Sequence, residues 1–166
     1  MMFNRVMLRF RDMKTISRLI TGADEQAHIS GEEMPGAEHF VLSALNLEDG
    51  SAKRVFDKIG IDTEKFKNAI NQQYANALAS IGIDNKLIPE PLESNKILHN
   101  AQPSAQELMR SLYTLKKSDK LRPLLGVHVI NAASKIEQGI VARAFKILAI
   151  DKEKLNYLIK EELESC

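Results

Sequence analysis

Apolar positions recur along most of this chain at the spacing of an amphipathic helix. In residues 12–27 they occupy positions i, i+3, i+4, i+7 and i+11, which places on one helix face Ile16, Leu19, Ile20, Ala23 and Ala27. Helical patterns also cover residues 37–45, 51–59, 62–80, 104–115, 127–135, 139–148 and 151–163. The pattern therefore predicts eight helices and no strands.

Polar residues and glycines mark where these helices begin and end. Asp12, Ser51 and Asp62 stand where N-caps are expected. Ser104, with Glu107 three residues later, has the form of a capping box, and Gly60 is placed to end the third helix. Residues 81–103 contain three prolines and read as a linker, with one possible helical turn at 95–99.

The second half of the chain repeats the first. From residue 50 onward the two copies align at a constant offset of 89, which pairs Gly50 with Gly139, Arg54 with Arg143, Phe56 with Phe145, Ile61 with Ile150, Asp62 with Asp151, Glu64 with Glu153 and Ile70 with Ile159. A fixed internal period is the signature of a repeated structural unit. Ahead of residue 50, aligning Gly36 with Gly126 pairs Glu38 with His128 and His39 with Val129.

These patterns predict an all-α fold, a pseudo-twofold tandem repeat of two four-helix units forming one compact domain. The first repeat is expected at about 10–80, the linker at about 81–103 and the second repeat at about 104–163. Several helices are short, so their stability must come from packing against one another. A chain of 166 residues suffices, because at this size folding buries roughly 70% of the surface that the unfolded chain exposes. All five phenylalanines that lie at helical spacing or helix entrances are expected in the core, namely Phe10, Phe40, Phe56, Phe66 and Phe145.

Charge and composition exclude several classes of protein. The net charge of +1 lacks the broad basic footprint of proteins that bind nucleic acid without sequence preference. A basic N-terminal segment keeps a helical nucleic-acid-binding protein as an alternative, through Arg5, Arg9, Arg11, Lys14 and Arg18. No apolar run approaches the roughly 20 residues of a membrane span. The single cysteine, Cys166, permits no disulfide framework, which fits a reducing, cytoplasmic setting.

Residues 36–42, with the sequence GAEHFVL, resemble the G-T-E-H-L-L-L opening of the repeat in the N-terminal domain of Clp unfoldases. Residues 50–70 resemble the G-V-A-x-x-V-L-x-x-L-G-V-D segment that follows it, and residues 139–159 repeat that segment. The resemblance implies an all-helical, non-catalytic module that binds substrate proteins or adaptors ahead of an ATP-driven Clp ring. It leaves open whether the chain is part of such an unfoldase or a free-standing helical regulatory protein.

The resemblance also suggests where partners bind. In some members of the family, the Glu of each G-T-E-H motif contacts a phosphorylated arginine. Here Glu38 matches the motif in the first repeat, whereas the aligned residue of the second is His128, which has no carboxylate to bind a guanidinium. For Glu38 the sequence therefore favours a structural role at a helix N-terminus. Protein binding is predicted beside the two helix starts, at Glu38 and His39 and at His128 and Val129.

No catalytic residue, cofactor or metal is predicted. The chain contains no G-x-x-x-x-G-K-[ST] phosphate loop and no G-x-S-x-G elbow. His28, Glu32, Glu33, Glu38 and His39 lie close in sequence, yet adjacent residues on a helix point about 100 degrees apart, which does not suit a zinc site. A small hydrolase remains a third hypothesis, for screening with esterase and peptidase substrates.

Overall fold

The computed structural model describes residues 2–80 and 101–166, with side chains from Arg5 onward. Within these ranges it contains eight helices and no strand, which confirms the all-α prediction. The helices are α1 (Met2–Ile29), α2 (Ala37–Leu45), α3 (Ser51–Lys58), α4 (Thr63–Ser80), α5 (Pro103–Ser118), α6 (Gly126–Ser134), α7 (Ile140–Ile147) and α8 (Lys152–Ser165). The helical turn expected at 95–99 and most of the expected linker lie outside the described residues.

The two short helices α2 and α6 form the centre of the fold. They pack against each other, α2 is covered by α1 and α6 by α5. Every residue of α2 is buried, and so are all residues of α6 except Asn131. A helix that is apolar and buried all round cannot be stable alone, so α2 and α6 depend on the longer helices around them.

Outer helices of each unit pack against helices of the other unit. From the first unit, α4 packs on α7 of the second, and α8 of the second packs on α3 of the first. Three aromatic rings meet across this boundary: Phe56 lies 5.5 Å from Phe66 and 6.4 Å from its repeat counterpart Phe145, measured between ring centroids. The two units therefore share one hydrophobic core.

The apolar stripes predict this core well, with two exceptions. Leu19, Ala23 and Ala27 of α1 are buried, and Ile16 and Ile20 pack against them. However, Phe10 is 68% exposed, because α1 begins at Met2 and its first turns extend beyond the core. Ala77, an apolar residue in the helical pattern at 62–80, is exposed as well.

One predicted N-cap, Asp62, is confirmed, and its repeat counterpart Asp151 also caps a helix. The Asp62 carboxylate accepts a hydrogen bond from the backbone N–H of Lys65 at 2.7 Å, at the start of α4. Asp151 accepts from Glu153 and Lys154 at 2.9 and 3.2 Å, at the start of α8. Both aspartates therefore satisfy backbone donors that the first helical turn leaves free.

Three other predicted caps serve a different purpose. Asp12 lies inside α1 and accepts from the Leu124 N–H at 2.6 Å. Ser51 is already helical and its hydroxyl accepts from the Val127 N–H at 2.9 Å. The Ser104 hydroxyl accepts from the Ala37 N–H at 3.2 Å, and α5 begins instead with Pro103 at its first position. Each of the three bonds links one unit to the other.

The third and seventh helices end with the same geometry but with different residues. Gly60 has φ of 79°, and its counterpart 89 residues later is Ala149, with φ of 50°. In both turns this residue donates to the carbonyl three residues earlier at 3.0 Å. A left-handed backbone costs an alanine about 1 kcal/mol more than a glycine.

We therefore expect Ala149→Gly to stabilise the protein by about 0.5–1 kcal/mol, because glycine adopts this conformation without strain while adding some entropy to the unfolded chain. Gly60→Ala is the matched reverse change and should destabilise by a similar amount. Urea unfolding of both variants measures the two effects. A loss of stability in Ala149→Gly would contradict the expectation.

Candidate protein-binding site at the starts of α2 and α6

The start of α2 is fixed by a buried histidine. His39 is fully buried, and its ring Nδ1 accepts a hydrogen bond from the backbone N–H of Gly36 at 2.9 Å. Because Nδ1 is an acceptor, the proton of the neutral ring lies on Nε2. Burial lowers the pKa of His39 to about 4, so the ring is neutral near pH 7. His39 thus closes the first turn of the helix without bringing in a charge.

Glu38 is also buried, at 1% exposure, and one carboxylate oxygen accepts from the Tyr74 hydroxyl of α4 at 2.5 Å. Burial raises the pKa of this carboxyl, although the Tyr74 hydrogen bond opposes the change. The carboxylate folds over Gly36, where a Cβ atom would lie 2.5 and 2.7 Å from the two oxygens. Glu38 therefore ties α2 to α4 and depends on a glycine at position 36.

Glu38 and His39 approach each other without forming an ion pair. One carboxylate oxygen lies 3.6 Å from His39 Nδ1. That nitrogen already accepts the Gly36 N–H, so in the neutral ring it has no proton to donate. The two side chains are adjacent hydrogen-bond acceptors, each with its own donor.

The start of α6 has the same construction. His128 is 2% exposed, and its Nδ1 accepts from the backbone N–H of Leu125 at 3.1 Å. Burial lowers the pKa of His128, as does the nearby Lys116 ammonium, whereas Asp119 opposes the shift. The Asp119 carboxylate lies 3.7 Å from His128 Nε2. The second histidine thus also keeps a neutral ring at the third position of its helix.

This geometry corrects the predicted alignment of the two helix starts. His39 and His128 occupy equivalent positions, each three residues after the N-cap whose N–H it accepts. The offset of 89 therefore extends through the helix starts, and the residue equivalent to Glu38 is Val127. The predicted pairing of Glu38 with His128 was wrong by one residue. The pairing was based on aligning Gly126 with Gly36. Gly126 serves close packing instead, because a Cβ there would lie 2.9 Å from the Ala44 carbonyl oxygen.

All four residues predicted to bind protein are inside the fold. Glu38 and His39 lie at the start of α2, and His128 and Val129 lie in α6, with exposures between 0 and 2%. In this structure their side chains present no surface to a partner. Beside them, however, lies surface that is open.

A cleft lies beside the start of α6, between α1, the turn after α2 and the segment that precedes α6. It is lined by Arg11, Lys14, Thr15, Arg18, Leu47, Glu48, Asp49, Pro123, Leu124 and Leu125. A second cleft continues along α1 toward Gln26 and shares Arg18, Leu47 and Glu48 with the first. The sequence identified the basic residues of α1 but not the apolar ones opposite, because only the folded chain brings residues 47 and 123–125 to α1.

Within 2–80 and 101–166, no group of three or more His, Cys, Asp or Glu side chains is placed to hold a metal ion. None of the described helices combines the length and apolar character needed to cross a membrane.

Comparison with known proteins shows the same fold in two recognised domains. The N-terminal domain of the caseinolytic protease associated chaperone ClpD from Arabidopsis thaliana superposes with a TM-score of 0.61 at 16% sequence identity, covering 90% of this chain and 94% of that one. The Hsp104 N-terminal domain from Candida albicans gives a TM-score of 0.58 at 14% identity, covering 87% and 85%. No curated protein matched the sequence.

The sequence also matches the model of one protein family. The model of the Clp repeat (R) N-terminal domain matches residues 14–117, which is more than half of the chain. That range includes α2 with its Glu38 and His39, the helices α3 and α4, and almost all of α5. The chain belongs to the family of Clp repeat N-terminal domains.

Proposed function

We propose that this chain is a non-catalytic protein-binding module that receives substrate or adaptor proteins for an ATP-dependent, Clp-type unfoldase in the cytoplasm. The observation that carries the proposal is the family match over residues 14–117, because these domains serve Clp ATPases as substrate and adaptor binding modules. In this proposal the ATP-driven work belongs to a partner ring, and the chain itself needs no cofactor.

The structure supports different roles for the open clefts and for the buried residues beside them. Partners would bind in the clefts along α1, beside the helix starts. Glu38, His39, His128 and Val129 would act from below the surface by holding the starts of α2 and α6 in place. Protein-bound phosphoarginine finds less support, because Glu38 is buried against Tyr74 and its repeat counterpart is Val127.

A direct test measures binding of a permanently unfolded, dye-labelled protein by fluorescence anisotropy, with its folded form as competitor. Saturable binding of the unfolded form, and capture of purified Clp adaptor proteins, would support the proposal. If a folded sample bound none of these proteins, the proposal would be wrong.

A pair of variants locates the binding. Thr15→Arg places a long side chain in the cleft beside α6 and is expected to weaken binding. Asn71→Arg adds the same side chain at an exposed position of α4, outside the clefts, and should leave binding unchanged. Equal effects of the two variants would place the binding elsewhere on the molecule.

A further inference from the structure

The charge of this protein is distributed very unevenly. Residues 5–18 contain five basic residues and one acidic residue, and so do residues 110–122, so each segment has a net charge of +4. Together they carry +8, whereas the whole chain carries +1, so the remaining residues carry −7. The near-neutral total therefore conceals a strongly basic part in an otherwise acidic molecule.

The fold brings these two segments to opposite sides of one groove. The N-terminal part of α1 forms one wall, and the end of α5 with the turn that follows it forms the other. The groove has a volume of about 790 Å³ and is lined by Arg5, Leu8, Arg9, Asp12, Tyr113, Lys116, Lys117, Lys120 and Leu121. Five of these nine residues are basic and one is acidic.

The pattern of α1 explains why the groove exists. Ile16, Leu19 and Ala23 form the face of α1 that packs on the core, and the same face continues toward the N-terminus through Asp12 and Leu8. There it carries charged residues instead of a continuous apolar stripe. This part of α1 therefore extends beyond the core and leaves its inner face open toward α5.

One ion pair at the floor of the groove is structural. Lys116 Nζ lies 3.2 Å from the Asp12 carboxylate and also donates to the backbone carbonyl of Asp119 at 3.2 Å. Asp12 in turn accepts the Leu124 N–H at 2.6 Å. With Lys116 and Asp12 held in this way, Arg5, Arg9, Lys117 and Lys120 remain as exposed cations on the two walls.

Exposed apolar side chains lie among these cations. Leu121 is 90% exposed and Tyr113 is 72% exposed, and both line the groove. Large exposed apolar groups rimmed by charge mark interaction sites on soluble proteins. A ligand that matches this surface carries negative charges and apolar side chains together.

We propose that this groove binds acidic polypeptide segments in which Asp or Glu alternates with apolar residues, so that the carboxylates meet Arg5, Arg9, Lys117 and Lys120 while the apolar side chains contact Leu8, Tyr113 and Leu121. The proposal rests on the protein-binding function proposed above and specifies one class of partner. Charge complementarity of this kind favours fast association and excludes basic segments.

The lining and the charge distribution do not suit two other polyanions, a nucleic acid and an anionic membrane. Among the described residues that line the groove, Tyr113 is the one aromatic residue, whereas proteins that bind single strands stack successive bases on several aromatic rings. The charge of −7 on the rest of the chain repels a long nucleic acid. An anionic bilayer is flat, whereas the exposed cations Arg5, Arg9, Lys117 and Lys120 lie on the walls of a concave groove.

The test uses two dye-labelled peptides of about 15 residues with identical apolar residues, one carrying glutamates and the other lysines at the remaining positions. The full chain is expected to bind the acidic peptide, with an affinity that decreases as salt is added, and to bind the basic peptide at least about tenfold more weakly. Equal affinities for the two peptides would overturn the proposal.

Charge-reversal variants test whether the acidic peptide binds in this groove. Lys117→Glu with Lys120→Glu reverses two charges on one wall, and Arg5→Glu with Arg9→Glu does so on the other; each pair should weaken binding of the acidic peptide at least about tenfold. Lys152→Glu with Lys154→Glu makes the same change in net charge at exposed positions of α8 and should have little effect. An equal loss in all three double variants would show that only net charge matters, and would also overturn the proposal.

Two further probes separate this inference from its rivals. The first probe is single-stranded DNA, and the second is vesicles that contain anionic lipid. If either binds more tightly than the acidic peptide at the same salt concentration, and if the groove variants abolish that binding, the ligand of the groove is that polyanion and not a polypeptide. If unfolded proteins bind regardless of their charge and the groove variants have no effect, the groove proposal fails while the proposed function stands. If a folded sample binds no polypeptide at all, both fail.

Discussion

Replacing Phe56 with alanine is expected to lower the free energy of unfolding by about 3–5 kcal/mol. Phe56 is 1% exposed and its ring contacts those of Phe66 and Phe145 edge to face. The substitution removes a large buried side chain and leaves a cavity where the two units meet. The surrounding helices come from both units, so the cavity cannot close by a shift within one unit alone. Urea unfolding followed by circular dichroism measures the change.

Phe10→Ala is the matched control, because it deletes the same atoms from a ring that is 68% exposed. Its effect should stay within about 0.5 kcal/mol. If Phe56→Ala leaves too little folded protein to measure, Phe56→Leu keeps most of the volume and should cost about 1.5 kcal/mol or less. Equal effects of the alanine changes at positions 10 and 56 would show that the aromatic cluster does not hold the units together.

The second large expected effect is a loss of folding stability at acidic pH. The pKa of His39 is about 4 in the folded protein, against an ordinary value of 6.5. Above pH 6.5 the ring is neutral in both states, so its contribution to stability is fully present there. As the pH falls from 6.5 toward 4, the unfolded chain takes up a proton at His39 while the folded protein does not. We expect this difference to remove about 3 kcal/mol of stability between pH 7 and pH 4.

His39→Gln isolates this effect. The glutamine amide oxygen can accept the Gly36 N–H as the ring does, in the manner of a capping-box residue, but it does not titrate. The variant should therefore lose less stability than the parent between pH 7 and pH 4. Glu38, whose raised pKa acts in the opposite direction, is present in both proteins. Parallel stability curves for the two proteins over this range would contradict the expectation.

The sequence predicted most of what depends on local pattern. The apolar stripes predicted the helices and most of the core, and Asp62 caps a helix as expected, since these features depend on neighbouring residues only. Asp12, Ser51 and Ser104 have the same local appearance as caps. Their partners are 112, 76 and 67 residues away in sequence. No local pattern contains that information.

The candidate site was predicted less well, for a related reason. The helix starts were predicted correctly, and Glu38, His39, His128 and Val129 lie in the first turns of α2 and α6. Their burial depends on how tightly α2 and α6 pack together, which a motif does not report. The basic groove was missed as a unit, because its two walls are about 100 residues apart in sequence and only their pairing makes a site. The wall formed by α1 was visible alone, as a basic N-terminal segment.

The aromatic cluster of Phe56, Phe66 and Phe145 has a consequence for how this chain is made. When a nascent chain has emerged from the ribosome only through α4, Phe56 and Phe66 have left the tunnel but the ring that completes their cluster has not. The helix α8, which packs on α3, emerges later still. Part of the apolar surface of the first half therefore stays uncovered until the second half has emerged, and exposed apolar surface of this kind favours aggregation.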